Sequence, residues 1–303
     1  MKKTIALFLG AALLCAGVAQ AVEKPQIRIG ARVFTEQTVL AEITAQHLRA
    51  NGFEVRVTTG LGSNIARQAQ ETGQLDLMWE YTGVSLVSYN HIDERMPDAA
   101  TTYARVKELD AKKGLVWLTP SKFSNTYALG LPKAVAAAYP QINSISDLNQ
   151  VLHDEADRNH LVALDTEFAN RPDGLVGLRE LYELPLDRRN IRQMDGGLVY
   201  TAMRNNQVFA GLVYTTDGRL NAFDLKLLED DKHYFPDYTA APVLRQAVLD
   251  AHPQLATLLK PLAEQLDDET MRQLNAKVDV EHQSPTVVAA AFLREHPLSE
   301  VQP

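Results

Sequence analysis

Cysteine is all but absent: Cys15 is the only one in 303 residues, and it lies in the apolar N-terminal stretch. Loss of that stretch would leave none, which excludes disulfides, thiolate catalysis and cysteine-ligated metals. A chain of about 280 residues without covalent staples must be held by its own apolar core, and is long enough for one large or two medium domains. Basic runs are lacking too. The formal charge is −8, and removing Lys2 and Lys3 with a leader takes it to −10, with 28 basic against 38 acidic side chains. That balance argues against nucleic acid or an anionic membrane surface as partner. Beyond the N-terminal stretch no apolar run approaches bilayer-spanning length. The eight histidines form no H-x-x-x-H or H-E-x-x-H pair, so no zinc motif is present. There is no G-x-S-x-G elbow. Gly60-Leu61-Gly62 lacks both the third glycine of a dinucleotide loop and the lysine of a phosphate loop. No cofactor is expected.

What is present begins with an export signal. Lys2 and Lys3 precede an apolar run from Ile5 to Val18, and Ala19-Gln20-Ala21 supplies the small-x-small cleavage pattern. Ala12-Leu13-Leu14 before Cys15 makes a poor lipobox. Residues 1–21 are therefore read as a signal peptide cleaved after Ala21, releasing a soluble periplasmic product.

The remaining chain alternates strands and helices. Gln26 to Gly30 reads as a strand, and Thr35-Glu36-Gln37 opens a helix that stops at Asn51-Gly52. Glu54 to Thr58 is a second strand, Ser63-Asn64 starts another helix, and Leu75 to Trp79 is a third strand. A further cycle has strands at Tyr127 to Leu131, Leu161 to Leu164 and Val208 to Val213, with helices from Ser146 and after Asp195. From Val243 onward the pattern reads as helical, with Leu255, Leu258, Leu262 and Leu266 as a core stripe. Such alternation indicates an α/β fold with a mainly parallel sheet, whose ligands sit beyond the carboxyl ends of strands. There is no internal repeat and no low-complexity linker.

Four tyrosines fall in short turn-rich motifs near these strand ends: Tyr81 in W-E-Y-T-G, Tyr127 in S-N-T-Y, Tyr214 in V-Y-T-T-D-G-R and Tyr238 in F-P-D-Y. Tyrosine faces gathered from distant segments suit a quaternary ammonium, a cation that donates no hydrogen bonds. Asp217-Gly218-Arg219 reads first as a turn and not as a catalytic aspartate.

With Ile29-Gly30-Ala31, Leu61-Gly62-Ser63-Asn64, Tyr81-Thr82-Gly83, Asn125-Thr126-Tyr127, Arg171-Pro172-Asp173-Gly174, Tyr214-Thr215-Thr216-Asp217-Gly218-Arg219 and Ala241-Pro242-Val243, the chain resembles periplasmic substrate-binding proteins of osmoprotectant ABC importers. The resemblance covers essentially the whole mature chain. It implies a two-lobed periplasmic binding protein fold of type II kind, with two hinge crossings and the ligand between the lobes. Lobe 1 would comprise 22–127 and 215–303, and lobe 2 128–214. It also implies a cage of Tyr81, Tyr127, Tyr214 and Tyr238, with Arg32 and Arg171 for a ligand carboxylate and Asn125 near the cage. Val84 departs from the pattern, because relatives often carry a hydroxyl or carboxylate there. The expected ligand is a zwitterion of glycine betaine type, preferred over choline because Arg32 and Arg171 would face each other without an anion. The alternative for Arg32 is solvent, or a pair with Glu36. The implied partners are a membrane permease and an ATPase, and the protein would be a monomer. A ligand-sensing module would share every binding feature. A periplasmic enzyme would need a nucleophile or metal that the residues do not offer.

Overall fold

The computed structural model describes residues 24–92, 96–155, 160–170 and 172–298. The expected leader, its cleavage site after Ala21, and Arg171 lie outside them. Among the described residues ten strands form two five-stranded sheets. In chain order they are β1 (Gln26–Arg32), β2 (Glu54–Leu61), β3 (Leu77–Tyr81), β4 (Leu115–Trp117), β5 (Tyr127–Leu131), β6 (Val162–Asp165), β7 (Ile191–Met194), β8 (Ala210–Tyr214), β9 (Lys226–Leu227) and β10 (Ala240–Arg245). The first sheet has the order β2-β1-β3-β10-β4 and the second β7-β6-β8-β5-β9. Helices cover both, and the architecture is the expected α/β one in two halves.

The first half is built on the helix Thr35–Ala50. Its Val39, Leu40, Ile43 and Leu48 share a core with Ile27 and Ile29 of β1. The stripe Leu255, Leu258, Leu262 and Leu266 closes that core from the C-terminal side, all four buried as expected. Each fully buried leucine contributes about 1.5–3 kcal/mol relative to an exposed one. The second half has its own core of Leu129, Leu131, Leu148, Val162, Leu164 and Leu212. There Ser144 starts the helix Ile145–Asp154 with a capping box, its hydroxyl accepting from Asp147 N and Asp147 accepting from Ser144 N. The cap lies two residues before the expected start at Ser146.

Three expectations need correction. The sheets are mixed and not mainly parallel: each has two parallel and two antiparallel pairings. β1 and β3 end where the two halves face each other, whereas β10 arrives from the other half and must run the opposite way. β5 enters the second sheet by the same logic. Next, Val243 to Arg245 belong to β10 and not to a helix, which begins at Gln246. Buried on both faces, Ala241-Pro242-Val243-Leu244 shows no alternation, and Pro242 argues locally against a central strand. Pro242 sits one residue beyond the β4 ladder, where its carbonyl accepts from Leu118 N at 3.0 Å. Lastly, the second sheet and its cores take in β9, Leu228 and Tyr234, which lie past the expected end at Tyr214.

The chain therefore passes between the sheets twice, through 118–126 and 228–239. The two passages run side by side. Ser124 and Thr239 form an antiparallel bridge, Asn125 N donates to Tyr238 O at 3.3 Å, and Tyr238 N donates to Ser124 Oγ at 3.0 Å. No helix among the described residues is long and apolar enough to cross a membrane.

Candidate functional site

A cleft of about 1070 Å³ lies between the two sheets, lined from both. All four motif tyrosines, with Arg32, Val84 and Asn125, line it. Strand geometry explains their arrival. Tyr127 and Tyr214 are register partners across β5 and β8, so their side chains share one face. Tyr81 is the last residue of β3, paired with Ala240, and Tyr238 stands two residues earlier in the second passage.

The rings form a group around Tyr127. Its centroid is 5.1 Å from Tyr214 and 6.2 Å from Tyr238, the latter edge-on at 89°. Phe168 at 5.1 Å and Phe235 at 6.1 Å back it. Tyr81 is buried and has Phe34 at 6.2 Å. It also has a resident cation, because Arg32 Cζ stands 5.0 Å from its ring centroid.

Arg32 neither points to solvent nor pairs with Glu36. It is 3% exposed, and its Nη2 donates to Glu80 Oε1 at 2.8 Å. Glu80 also accepts from Tyr81 N at 2.8 Å, which ties the ion pair to the end of β3. The picture of uncompensated arginines at the ligand's tail is therefore corrected: Arg32 carries its own anion. Its Nε is buried without a partner among the described residues. Asn125 lies in the first passage, and its Nδ2 donates to Glu36 Oε1 at 2.9 Å.

Glu36 is a site residue that sequence reasoning missed. It sits in the first turn of the helix after β1, is 2% exposed, and lines the cleft. Tyr81 Oη donates to its Oε1 at 2.5 Å and Asn275 Nδ2 to its Oε2 at 3.2 Å. Burial pushes its carboxyl above the ordinary carboxylate range, against the lowering by its hydrogen-bond donors. Burial likewise raises the Tyr81 phenol, and the neighbouring Glu36 charge adds to the effect. Asn275 was also missed. A signal for it existed, since it falls with Met271 and Leu274 on the buried side of the helix Asp268–Asp279, a polar residue in an apolar stripe.

Asp217 and Arg219 pair with each other, Oδ1 accepting from Arg219 Nε at 2.8 Å. They border the cleft as the turn that the dipeptide Asp-Gly indicates. Gly218 is required there by close approach: a Cβ would stand 2.2 Å from Ala276 N.

Val84 opens the irregular turn Val84–Tyr89 and packs partly on the first core, so it presents an apolar wall. The preceding Gly83 matters more to the site. An added Cβ would lie 2.8 Å from Asp237 O and 2.9 Å from Tyr238 Cε1. Gly83→Ala is expected to force Tyr238 and the second passage outward, costing about 1–3 kcal/mol of stability as overpacking does. Denaturant unfolding of the variant checks this; an unchanged midpoint would show that Tyr238 yields freely.

Comparisons with known proteins point one way. A family model described as the substrate-binding domain of the ABC-type glycine betaine transport system matches residues 25–295. The chain is 58% identical over 292 residues to a glycine-betaine-binding protein of Pseudomonas aeruginosa, covering 95% of this chain and 92% of that one. It is 33% identical over 279 residues to the carnitine transport binding protein OpuCC of Listeria monocytogenes, covering 90% and 87%. Among solved structures, that of a glycine betaine/carnitine/choline ABC transporter superposes with a TM-score of 0.81 at 28% identity, over 89% of this chain and 98% of that one.

Proposed function

The chain belongs to the family of substrate-binding domains of ABC-type glycine betaine transport systems, whose members are transport proteins and not enzymes, and from that premise we propose that it captures a quaternary-ammonium osmoprotectant of glycine betaine type and delivers it to an importer. The cage is Tyr81, Tyr127, Tyr214 and Tyr238, with Asn125 and Val84 beside it and Arg32, joined by Arg171, toward the ligand's polar end. Convergence of the four tyrosines on one cleft carries this reading. One cation–π contact contributes about 0.5–2 kcal/mol, so several faces are needed for useful affinity. The names of the two relatives, one for glycine betaine and one for carnitine, support the same ligand class.

In this reading the leader is removed after Ala21 and a monomer works in the periplasm, handing its ligand to a permease and an ATPase. The lobes close over the ligand about the two adjoining passages. Preference for a zwitterion over choline rests on Arg32. Since its Nη2 holds Glu80, a ligand carboxylate meets Nε, which is buried without a partner among the described residues. A hydrogen bond to a charged group is worth about 1.5–3 kcal/mol, which sets the preference at about tenfold or more.

A thermal-shift screen of the purified mature chain tests the proposal. Glycine betaine at a hundred times its dissociation constant is expected to add about 2.7 kcal/mol of stability, with choline giving less at equal concentration. A flat response to glycine betaine, carnitine and choline alike would sink the osmoprotectant reading.

A further inference from the structure

Glu36 is a buried carboxylate whose partners are all neutral. Tyr81, Asn125 and Asn275 donate to it, at 2.5, 2.9 and 3.2 Å, and no ion pair among the described residues includes it. The described arginines that line the cleft are committed elsewhere, Arg32 to Glu80 at 2.8 Å and Arg219 to Asp217 at 2.5 Å. Burial with no cation favours the protonated carboxyl against the pull of its neutral donors, and an arriving positive charge favours the ionised one. Its position selects the second course when the cleft fills. Tyr81 offers its ring to the cleft and its hydroxyl to Glu36, so a cation against that ring stands one side chain away from the carboxylate.

We propose that Glu36 is the counter-charge of the ligand's cation, ionising as a quaternary ammonium enters and releasing its proton to solvent. This rests on reading the cleft as a quaternary-ammonium site. It also gives the cleft a reason to prefer a cation over a neutral molecule of the same shape, which aromatic faces alone do weakly. The raised affinity of the buried carboxyl for a proton is consistent with it.

Other charged groups face the same region and must be separated from Glu36. Arg32 and Glu80 come from the ends of β1 and β3, and Asp217 and Arg219 from the turn after β8. Asp279 comes from the helix Asp268–Asp279, accepts from Thr35 Oγ1 at 2.6 Å, and is also pushed up by burial. Tyr81 titrates well above its ordinary range and stays protonated throughout.

The sign is fixed by linkage. A cation lowers the carboxyl's proton affinity on binding, so ligand affinity rises with pH and levels off once Glu36 is ionised in the free protein. Below that point one competing proton lowers affinity by up to about tenfold per pH unit.

The experiment is titration calorimetry of the purified protein across the pH range in which it stays folded, in phosphate and in Tris. The probes are glycine betaine, tetramethylammonium, which has no titratable group, and 3,3-dimethylbutyrate, the neutral-headed isostere of glycine betaine. The expected result is a buffer-dependent enthalpy, reporting release of up to one proton, with the two cations and none with the isostere. Release should vanish in Glu36→Gln and persist in Asp279→Asn. Binding of the cations with no proton release and no pH slope at any pH overturns this inference and leaves the functional reading intact. Equal release with the isostere, or release that survives Glu36→Gln, overturns it equally. Should Glu36→Gln fail to fold, the cation and isostere arms on the native protein decide. If none of the three probes binds, the functional reading falls and this inference with it.

Discussion

Asp110→Ala is expected to lower the unfolding free energy by about 3–5 kcal/mol, the cost of breaking a buried pair from one side. Asp110 has no exposed surface and gathers donors from four residues. Arg67 gives it two hydrogen bonds, at 2.9 and 2.6 Å, Ser85 one at 2.8 Å, Asn90 one at 3.0 Å and Trp117 Nε1 one at 2.8 Å. Without the carboxylate, the Arg67 guanidinium is left buried with only the half-exposed Glu71. Burial works against the Asp110 charge, but the bonds to Arg67 outweigh it and hold the carboxyl below its ordinary value. The pH dependence follows from that direction. The stabilisation is complete above the unfolded-state value and is lost as pH falls through the depressed folded value. Urea unfolding at neutral pH and on acidification measures both effects. A loss under about 1 kcal/mol at neutral pH would mean that the network is replaced by water at little cost.

The double substitution Tyr127→Ala with Tyr214→Ala is expected to weaken glycine betaine binding by about 2–4 kcal/mol, roughly 30- to 1000-fold. In the proposed cage each ring supplies one cation-facing surface. With centroids 5.1 Å apart, the two rest on each other, so the single changes should not simply add. The corresponding double Phe variant keeps both ring faces and is expected to bind within a few-fold of the native protein. Calorimetry on the three proteins separates the accounts. If the double Phe variant loses as much as the double Ala variant, the hydroxyls and not the ring faces hold the ligand.

The alternation of strand and helix in the first eighty residues was readable because each element there is local. β1, the helix Thr35–Ala50 and β2 follow one another and pack on one another. The tyrosine motifs were readable for a related reason, since turn residues mark where strands deliver side chains to a common edge. β10 was hidden because its partners, β3 and β4, lie more than a hundred residues earlier, and because Pro242 speaks locally against a strand. Arg32 lines the cleft, but its bond to Glu80 spans 48 residues and leaves no trace in spacing. Glu36 looked like an ordinary first-turn acid, since its burial depends on Tyr81, Asn125 and Asn275 arriving from three other places.

The pairing of Ser124 with Thr239 has a mechanical consequence. In the closure proposed above, one sheet swings relative to the other about that pair of segments, and each atom travels in proportion to its distance from the axle. Asn125 and Tyr238 sit on that axle and would barely travel, so that part of the proposed pocket would be in place before a ligand arrives. The outer rims have the longest arms. A displacement of a fraction of an ångström at the axle becomes one of several ångströms there, and a molecule much smaller than the protein can set the distance between two faces that it never touches.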